Sequence, residues 1–171
     1  NAPNLVYIAN PGFSGVDEFE FVATDGSKQS QPVKVSINVI KKIYKFDLWI
    51  ASFGAGGGLD SNPDKDSLVN GTEYVLGTNP AKKTGSTFLP KSRVTNADPD
   101  GDGKKSRYLI YSYRRTQASA NDPDVAILVE WRANTKDTWK NVASETGVIV
   151  KTTANKFAGG VDLVSVYIPR T

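Results

Sequence analysis

The chain has no cysteine and no histidine in 171 residues. The first absence excludes disulfides, thiolate nucleophiles and thiolate metal sites. The second excludes serine–histidine–aspartate hydrolysis, imidazole zinc sites and the commonest general base at neutral pH. No apolar run approaches the roughly 20 residues of a membrane-spanning helix, and no signal peptide is visible. The chain starts at Asn1 without an initiator methionine, which reads as a processed or excised fragment. Charge of one sign is also scarce: the net charge is +3, and the basic pairs Lys82-Lys83, Lys104-Lys105 and Arg114-Arg115 lie far apart in the chain. Separated pairs are solvated surface, so no nucleic-acid partner is expected.

What is present suffices for a core: 39% of the residues are hydrophobic and 10% aromatic, enough for one domain or two small ones. The densest chemistry lies midway along the chain. Asn62, Asp64, Asp66 and Asn70 stand at the first, third, fifth and ninth places of a twelve-residue stretch that Glu73 closes. Hard divalent cations take six to eight oxygens, and this is the spacing with which an EF-hand-type loop gathers them around one Ca²⁺. Leu68, in seventh place, offers its backbone carbonyl, and Glu73 both carboxylate oxygens. Asn62 stands where aspartate is usual, and Ser67 where glycine is usual, which should strain the turn. Both departures imply weak binding, with a Kd of about 10⁻⁴–10⁻³ M.

Asp98, Asp100 and Asp102 repeat the first half of that spacing, with Gly103 in sixth place, but the twelfth place falls on Leu109, which cannot chelate. Two readings stay open: an incomplete second calcium site that borrows an oxygen from Asn96 or a backbone carbonyl, or an acidic hairpin-like turn.

The run from Asn62 to Pro80 resembles the dockerin-type and thrombospondin type 3-like calcium repeats of large secreted bacterial proteins, whose pattern is D-x-D-x-D-G-L-x-N-x-x-E-Y-x-L-G-T-x-P. The chain keeps Asp64, Asp66, Leu68, Asn70, Glu73, Tyr74, Leu76, Gly77, Thr78 and Pro80 of it. The resemblance implies a short helix after the loop, and helix-stop chemistry at Gly77 and Pro80 predicts the same. Ahead of the loop, Ile43, Phe46, Trp49, Ile50 and Phe53 recur three or four apart on one helical face, and Gly54-Ala55-Gly56-Gly57-Gly58 ends that helix. No Gly-Lys-Ser/Thr follows, so the glycines are not a phosphate loop.

Residues 1–40 read as strands. Leu5–Ile8 is short and apolar, Phe19, Phe21 and Ala23 alternate with Glu18, Glu20 and Val22, and Val33, Val35, Ile37 and Val39 alternate with Lys34, Ser36 and Asn38. The phrase from Tyr7 to Phe19, with Asp25-Gly26 beyond, resembles the closing half of a bacterial cadherin-like repeat, an immunoglobulin-like sandwich. Three strands cannot cover a sandwich core, so either an upstream chain of the same precursor supplies the rest or a degradation boundary fell there.

After a loop-rich stretch at 81–106, alternation returns. Leu109, Tyr111 and Tyr113 share one face of a strand, with Tyr108, Ile110, Ser112 and Arg114 on the other. A further strand is expected through Val125, Ile127, Val129 and Trp131, and shorter ones around 138–142, 148–152 and 162–168.

The expected fold is therefore mainly β: a partial cadherin-like strand set (1–40), a helix with its calcium loop (41–81) and an antiparallel β-sandwich (82–171). The expected function is a non-catalytic, calcium-stabilised structural or adhesion module of a secreted or cell-surface bacterial protein. Two alternatives are a carbohydrate-binding module, using Tyr108, Tyr111, Tyr113, Trp131 and Trp139 against a polysaccharide or cell-surface ligand, and a non-catalytic tail or subunit of a secreted enzyme.

Overall fold

A computed structural model describes residues 5–11 and 13–170. The fold is mainly β with antiparallel sheets, and the chain divides into two compact units, Asn1–Ile43 and Tyr44–Thr171.

In the first unit β1 (Gly15–Phe21) and β2 (Val33–Val39) form a two-stranded antiparallel sheet. The register sets Asp17 opposite Ile37, Phe19 opposite Val35 and Phe21 opposite Val33 on one face, with Glu18–Ser36 and Glu20–Lys34 on the other. Period-two alternation thus separates an apolar face from a polar one. On the polar face Lys34 Nζ lies 2.8 Å from Glu18 Oε2. Asp25 turns the chain between the strands, its Oδ1 accepting from the N–H groups of Ser27 and Lys28 at 2.9 and 2.8 Å. Leu5–Ile8, expected as a strand, has no regular structure and is exposed. Its tie to the hairpin is a side-chain one: Tyr7 donates its hydroxyl to Asp17 Oδ2 at 2.8 Å. Four apolar residues without a ladder to join do not hold a strand by themselves.

The second unit begins with α1 (Lys45–Ser52) and α2 (Asn70–Leu76), followed by β3 (Lys91–Ala97), β4 (Ser106–Thr116), α3 (Gln117–Ala120), β5 (Glu130–Trp131), β6 (Lys140–Asn141), β7 (Ile149–Ala158) and β8 (Val161–Pro169). Four strands make one antiparallel sheet in the order β3-β4-β8-β7, and β5 and β6 pair separately. The segment from Asn62 to Glu73, expected as a calcium loop, belongs to the same unit as this sheet.

Strand β4 shows the expected two faces. Leu109, Tyr111 and Tyr113 stand opposite Ile168, Val166 and Val164 of β8. These join Leu76 of α2, Val142 and half-buried Val129, Trp131 and Val148 in the main core. The short β5–β6 pair and α2 thus close over one side of the sheet in a sandwich-like arrangement. Burying each such valine or leucine stabilises the fold by roughly 1.5–3 kcal/mol. On the opposite face Tyr108 and Ile110 are buried, Tyr108 meets Tyr167 edge to face at 5.9 Å, and the Arg114 guanidinium lies 4.7 Å from the Phe88 ring and 4.4 Å from the Phe157 ring.

Two expectations differ from what forms. Residues 125–129 do not pair as a strand; only Glu130 and Trp131 do. Val129 instead offers its carbonyl to Val142 N–H at 2.9 Å. Residues 91–97, expected as loop, form the edge strand β3. It is exposed along nearly its whole length, so no apolar alternation marks it. Its Lys91 and Arg93 discourage pairing with another chain.

Candidate metal centre

A small second core positions the site. Phe46 and Ile50 of α1 pack with Tyr74 of α2, flanked by half-buried Trp49. The aromatic rings cluster, Trp49 lying 5.0 Å from Tyr74 and Phe46 5.6 Å from it. Tyr74 donates to Asp122 Oδ2 at 3.0 Å, and burial together with that carboxylate pushes its hydroxyl up to about 12. Of the predicted helical stripe, Phe46 and Ile50 are buried, whereas Ile43 falls outside α1 and is exposed. The helix α2 stops as expected: Gly77 caps it in the left-handed conformation, and the N–H groups of Gly77 and Thr78 both reach the Glu73 carbonyl. Arg114 Nε and Thr116 Oγ1 donate to the Leu76 and Tyr74 carbonyls at 3.3 and 2.8 Å, so the last turn is tied to β4.

Around the N-terminus of α2 the three acidic residues among the predicted ligands converge. Carboxylate oxygens of Asp64, Asp66 and Glu73 all lie within 4.8 Å of one another, close enough to share one metal ion. Asn70 and Glu73 are both fully buried. Asn62 Oδ1, Asp64 Oδ2, Asn70 Oδ1 and Glu73 Oε2 are buried, with no hydrogen-bond partner among the described residues. Leaving one buried acceptor unsatisfied costs roughly 1–3 kcal/mol, more when it is charged. Four such oxygens, all on residues of one ligand spacing, are the signature expected of a cation cradle.

Each side chain is aimed by bonds on its other atoms. Asn62 donates its amide to the Asp66 carbonyl at 2.8 Å. Asn70 donates to the carbonyls of Gly56 and Gly58 at 3.3 and 3.1 Å, which turns its oxygen the other way. The glycine run is thus a carbonyl bracket for Asn70. Gly57 sits at φ +95, and a Cβ there would lie 2.5 Å from Ser61 Oγ. Asp64 Oδ1 accepts from Asp66 N–H at 3.2 Å, and Asp66 Oδ2 from Thr84 N–H at 2.8 Å. Leu68 N–H donates to the other Asp66 oxygen, leaving the Leu68 carbonyl outside that bond.

The electrostatics differ between the two acids. Burial pushes the Asp66 carboxyl up, but the N–H groups of Thr84 and Leu68 and the charge of Lys83 outweigh it and hold the group below the ordinary carboxylate range. Burial pushes Glu73 up, and Asp64 and Asp66 add to the rise against the Thr78 and Thr84 hydroxyls. A cation reverses the sense of that last repulsion.

Two details depart from the sequence reading. Ser67 carries no left-handed strain; that conformation falls on Lys65, in fourth place, at φ 57. Nor are both Glu73 oxygens free, since Oε1 accepts from Thr78 Oγ1 at 3.1 Å and from Thr84 Oγ1 at 3.3 Å. Thr78 stands in the matched pattern with no role attached to it, and Thr84 lies 11 residues beyond Glu73 with no motif to flag it. Asp60, just ahead of the loop, is exposed.

The acids at 98–102 also lie within 4.8 Å of one another. They form the turn between β3 and β4, and Asp98 is used up internally: Oδ1 accepts from Gly101 and Asp102 N–H at 2.8 and 3.1 Å, and Oδ2 from Gly103 N–H at 3.0 Å. Asp102 Oδ1 accepts from Lys104 N–H at 2.7 Å. Asp100 and Asp102 are exposed. The hairpin-turn alternative accounts for these bonds without an ion.

Comparison with known protein families, with curated proteins and with solved structures finds no match to this chain.

Proposed function

We propose that the chain is a non-catalytic structural module whose second unit is clamped by one Ca²⁺ held by Asn62, Asp64, Asp66, the Leu68 carbonyl, Asn70 and Glu73, within a secreted or cell-surface bacterial protein. Four orphaned buried oxygens on the predicted ligand residues carry this proposal. The donor set is all oxygen, with three carboxylates and two amides, which suits a hard cation and not a soft one. When bound, the ion supplies positive charge where burial and mutual repulsion make the carboxylates costly. The chain's own residues do the rest: α2 contributes Asn70 and Glu73, and its next turn contributes Tyr74 and Leu76 to the two cores. Holding the loop therefore holds both cores together. The resemblance to secreted calcium repeats supports the extracellular setting, where weak sites fill. The cadherin-like phrase from Tyr7 to Phe19 supports a further strand set, from an upstream chain of the same precursor, that covers the apolar face of β1 and β2.

The test is thermal unfolding in calcium and in chelator. At 100 times its Kd the ion adds about 2.7 kcal/mol, a rise on the order of 10 °C for a unit of this size. Superimposable curves overturn the proposal.

One observation favours a second reading, a carbohydrate-binding module. Trp131, Trp139, Tyr111, Glu130, Arg132 and Asn134 line a cavity of about 420 Å³ beside β5. Trp139 is exposed, and the buried Trp131 indole N–H lacks a partner among the described residues. Tyr108 and Tyr113, offered for the same platform from sequence, are core. Retardation in a polysaccharide affinity gel, lost in Trp139→Ala, supports this reading; unchanged mobility across a polysaccharide panel removes it.

A further inference from the structure

We infer that Thr78 and Thr84 tune which cation the site prefers, by restricting Glu73 to a single ligating oxygen; this rests on the metal-site reading above. In a twelve-residue calcium loop the closing glutamate chelates through both oxygens, which carries the coordination number beyond six. Here that second oxygen is taken. Glu73 Oε1 accepts two hydroxyl hydrogen bonds, from Thr78 at 3.1 Å and Thr84 at 3.3 Å, and two donors occupy both of its lone pairs. Only Oε2 is left, buried and without a partner among the described residues.

The main chain of both threonines is held in place. Thr78 is buried, and its own N–H is bound to the Glu73 carbonyl at 3.1 Å. Thr84 is anchored by its N–H to Asp66 Oδ2 at 2.8 Å. The chain segment from 78 to 84 therefore leaves α2 and returns to the site, where it fixes two of the three carboxylates at once. With one oxygen each from Asn62, Asp64, Asp66, Leu68, Asn70 and Glu73, the protein offers six. Six is the number Mg²⁺ demands and the lower limit of what Ca²⁺ accepts. The threonine pair thus narrows the preference for Ca²⁺ over Mg²⁺ that a two-oxygen glutamate gives.

The experiment is calorimetric titration of the full chain with CaCl₂ and, separately, MgCl₂. The chains compared are wild type, Thr84→Val, the double variant Thr78→Val/Thr84→Val, and Thr78→Ser/Thr84→Ser. Valine keeps the shape and the Thr84 N–H but removes the hydroxyl donors. The ratio of the Mg²⁺ Kd to the Ca²⁺ Kd is expected to rise about tenfold or more in the double valine variant. It should rise part of the way in Thr84→Val and stay at the wild-type value in the serine variant. If the double variant does not fold, Thr84→Val alone, at a half-buried position, decides. The carboxylate stretching bands of the calcium-bound chain give a second readout, moving from the one-oxygen to the two-oxygen pattern when the hydroxyls are removed. A purely structural role would weaken both cations alike and leave the ratio and the bands unmoved, and that result overturns the inference. A wild-type chain that binds neither cation overturns the metal site as well.

Discussion

Asn70 is a buried neutral residue whose orientation is set by its own amide. Its amide nitrogen is engaged by two glycine carbonyls, so its oxygen is fixed without any contribution from an ion. Aspartate at this position would add a charge to the site yet lose both donor bonds, leaving two carbonyls without their donor. Asn70→Asp should therefore destabilise the chain in chelator by about 2–3 kcal/mol, read as the shift in urea midpoint. Glu73 behaves in the opposite way. Burial and two neighbouring carboxylates make its charged form costly, while a glutamine can still accept at Oε1 from Thr78 and Thr84. Glu73→Gln should melt higher than wild type in chelator at neutral pH and should lose its response to calcium. A variant that melts lower than wild type in chelator would show that the carboxylate charge is matched inside the protein. That Asp64, Asp66 and Glu73 come together was legible from spacing, because a twelve-residue loop folds its own acids toward one point. The orientation of these side chains and of Asn70 was not. It depends on Gly56, Gly58, Thr78 and Thr84, and each of those acts through a contact between separate turns of chain.

Elements that carry one apolar face announce themselves, and elements that carry none do not. Strand β4 carries its two faces in its own alternation, and α2 carries its stop at Gly77. There φ is +73, and a Cβ would stand 2.8 Å from Thr116 Cγ2, so Gly77→Ala should cost roughly 2 kcal/mol through backbone strain and that contact. The chemical midpoint reads this cost, and an unchanged midpoint would mean the last turn of α2 is not held against β4. The edge strand β3 has no such signal because both of its faces are wet. The hairpin β7–β8 adds an electrostatic device. The register slips between Thr153 and Ala158, where Asn155 takes a left-handed conformation at φ 54. Asp162 Oδ1 accepts from Asn155 N–H at 3.0 Å and from Gln117 Nε2 at 2.9 Å, with Arg115 at 3.8 Å from its other oxygen. The Asn155 bond first, then Gln117 and the Arg115 charge, hold its carboxyl below the ordinary 3.8. A carboxylate held lower in the folded chain stabilises it fully above that ordinary value, and the contribution fades as pH falls toward the folded one. Wild type should therefore exceed Asp162→Asn in stability at pH 6, and the gap should shrink as the pH drops below about 4. A gap independent of pH would assign the effect to hydrogen-bond geometry alone.

At the scale of the molecule, the two units differ in what they bury. Among the described residues, both hydrophobic cores, one around Leu76, Val164 and Val166 and the other around Phe46, Ile50 and Tyr74, draw only on residues after 44. The hairpin of the first unit leaves Phe21 and Val33 about half exposed, and two strands without a covered face are marginal in water. Stability should then follow this division. A chain trimmed to residues 44–171 should melt within about 2 °C of the whole chain, since no core residue among those described is lost, and should keep the same calcium response. In hydrogen exchange on the whole chain, amides of β1 and β2 should exchange near the rate of local opening, while those of β4 and β8 at the centre of the sheet open only with global unfolding. If trimming lowers the melting temperature by 5 °C or more, or if β1 is protected as well as β8, the hairpin is folded onto something that these cores do not include.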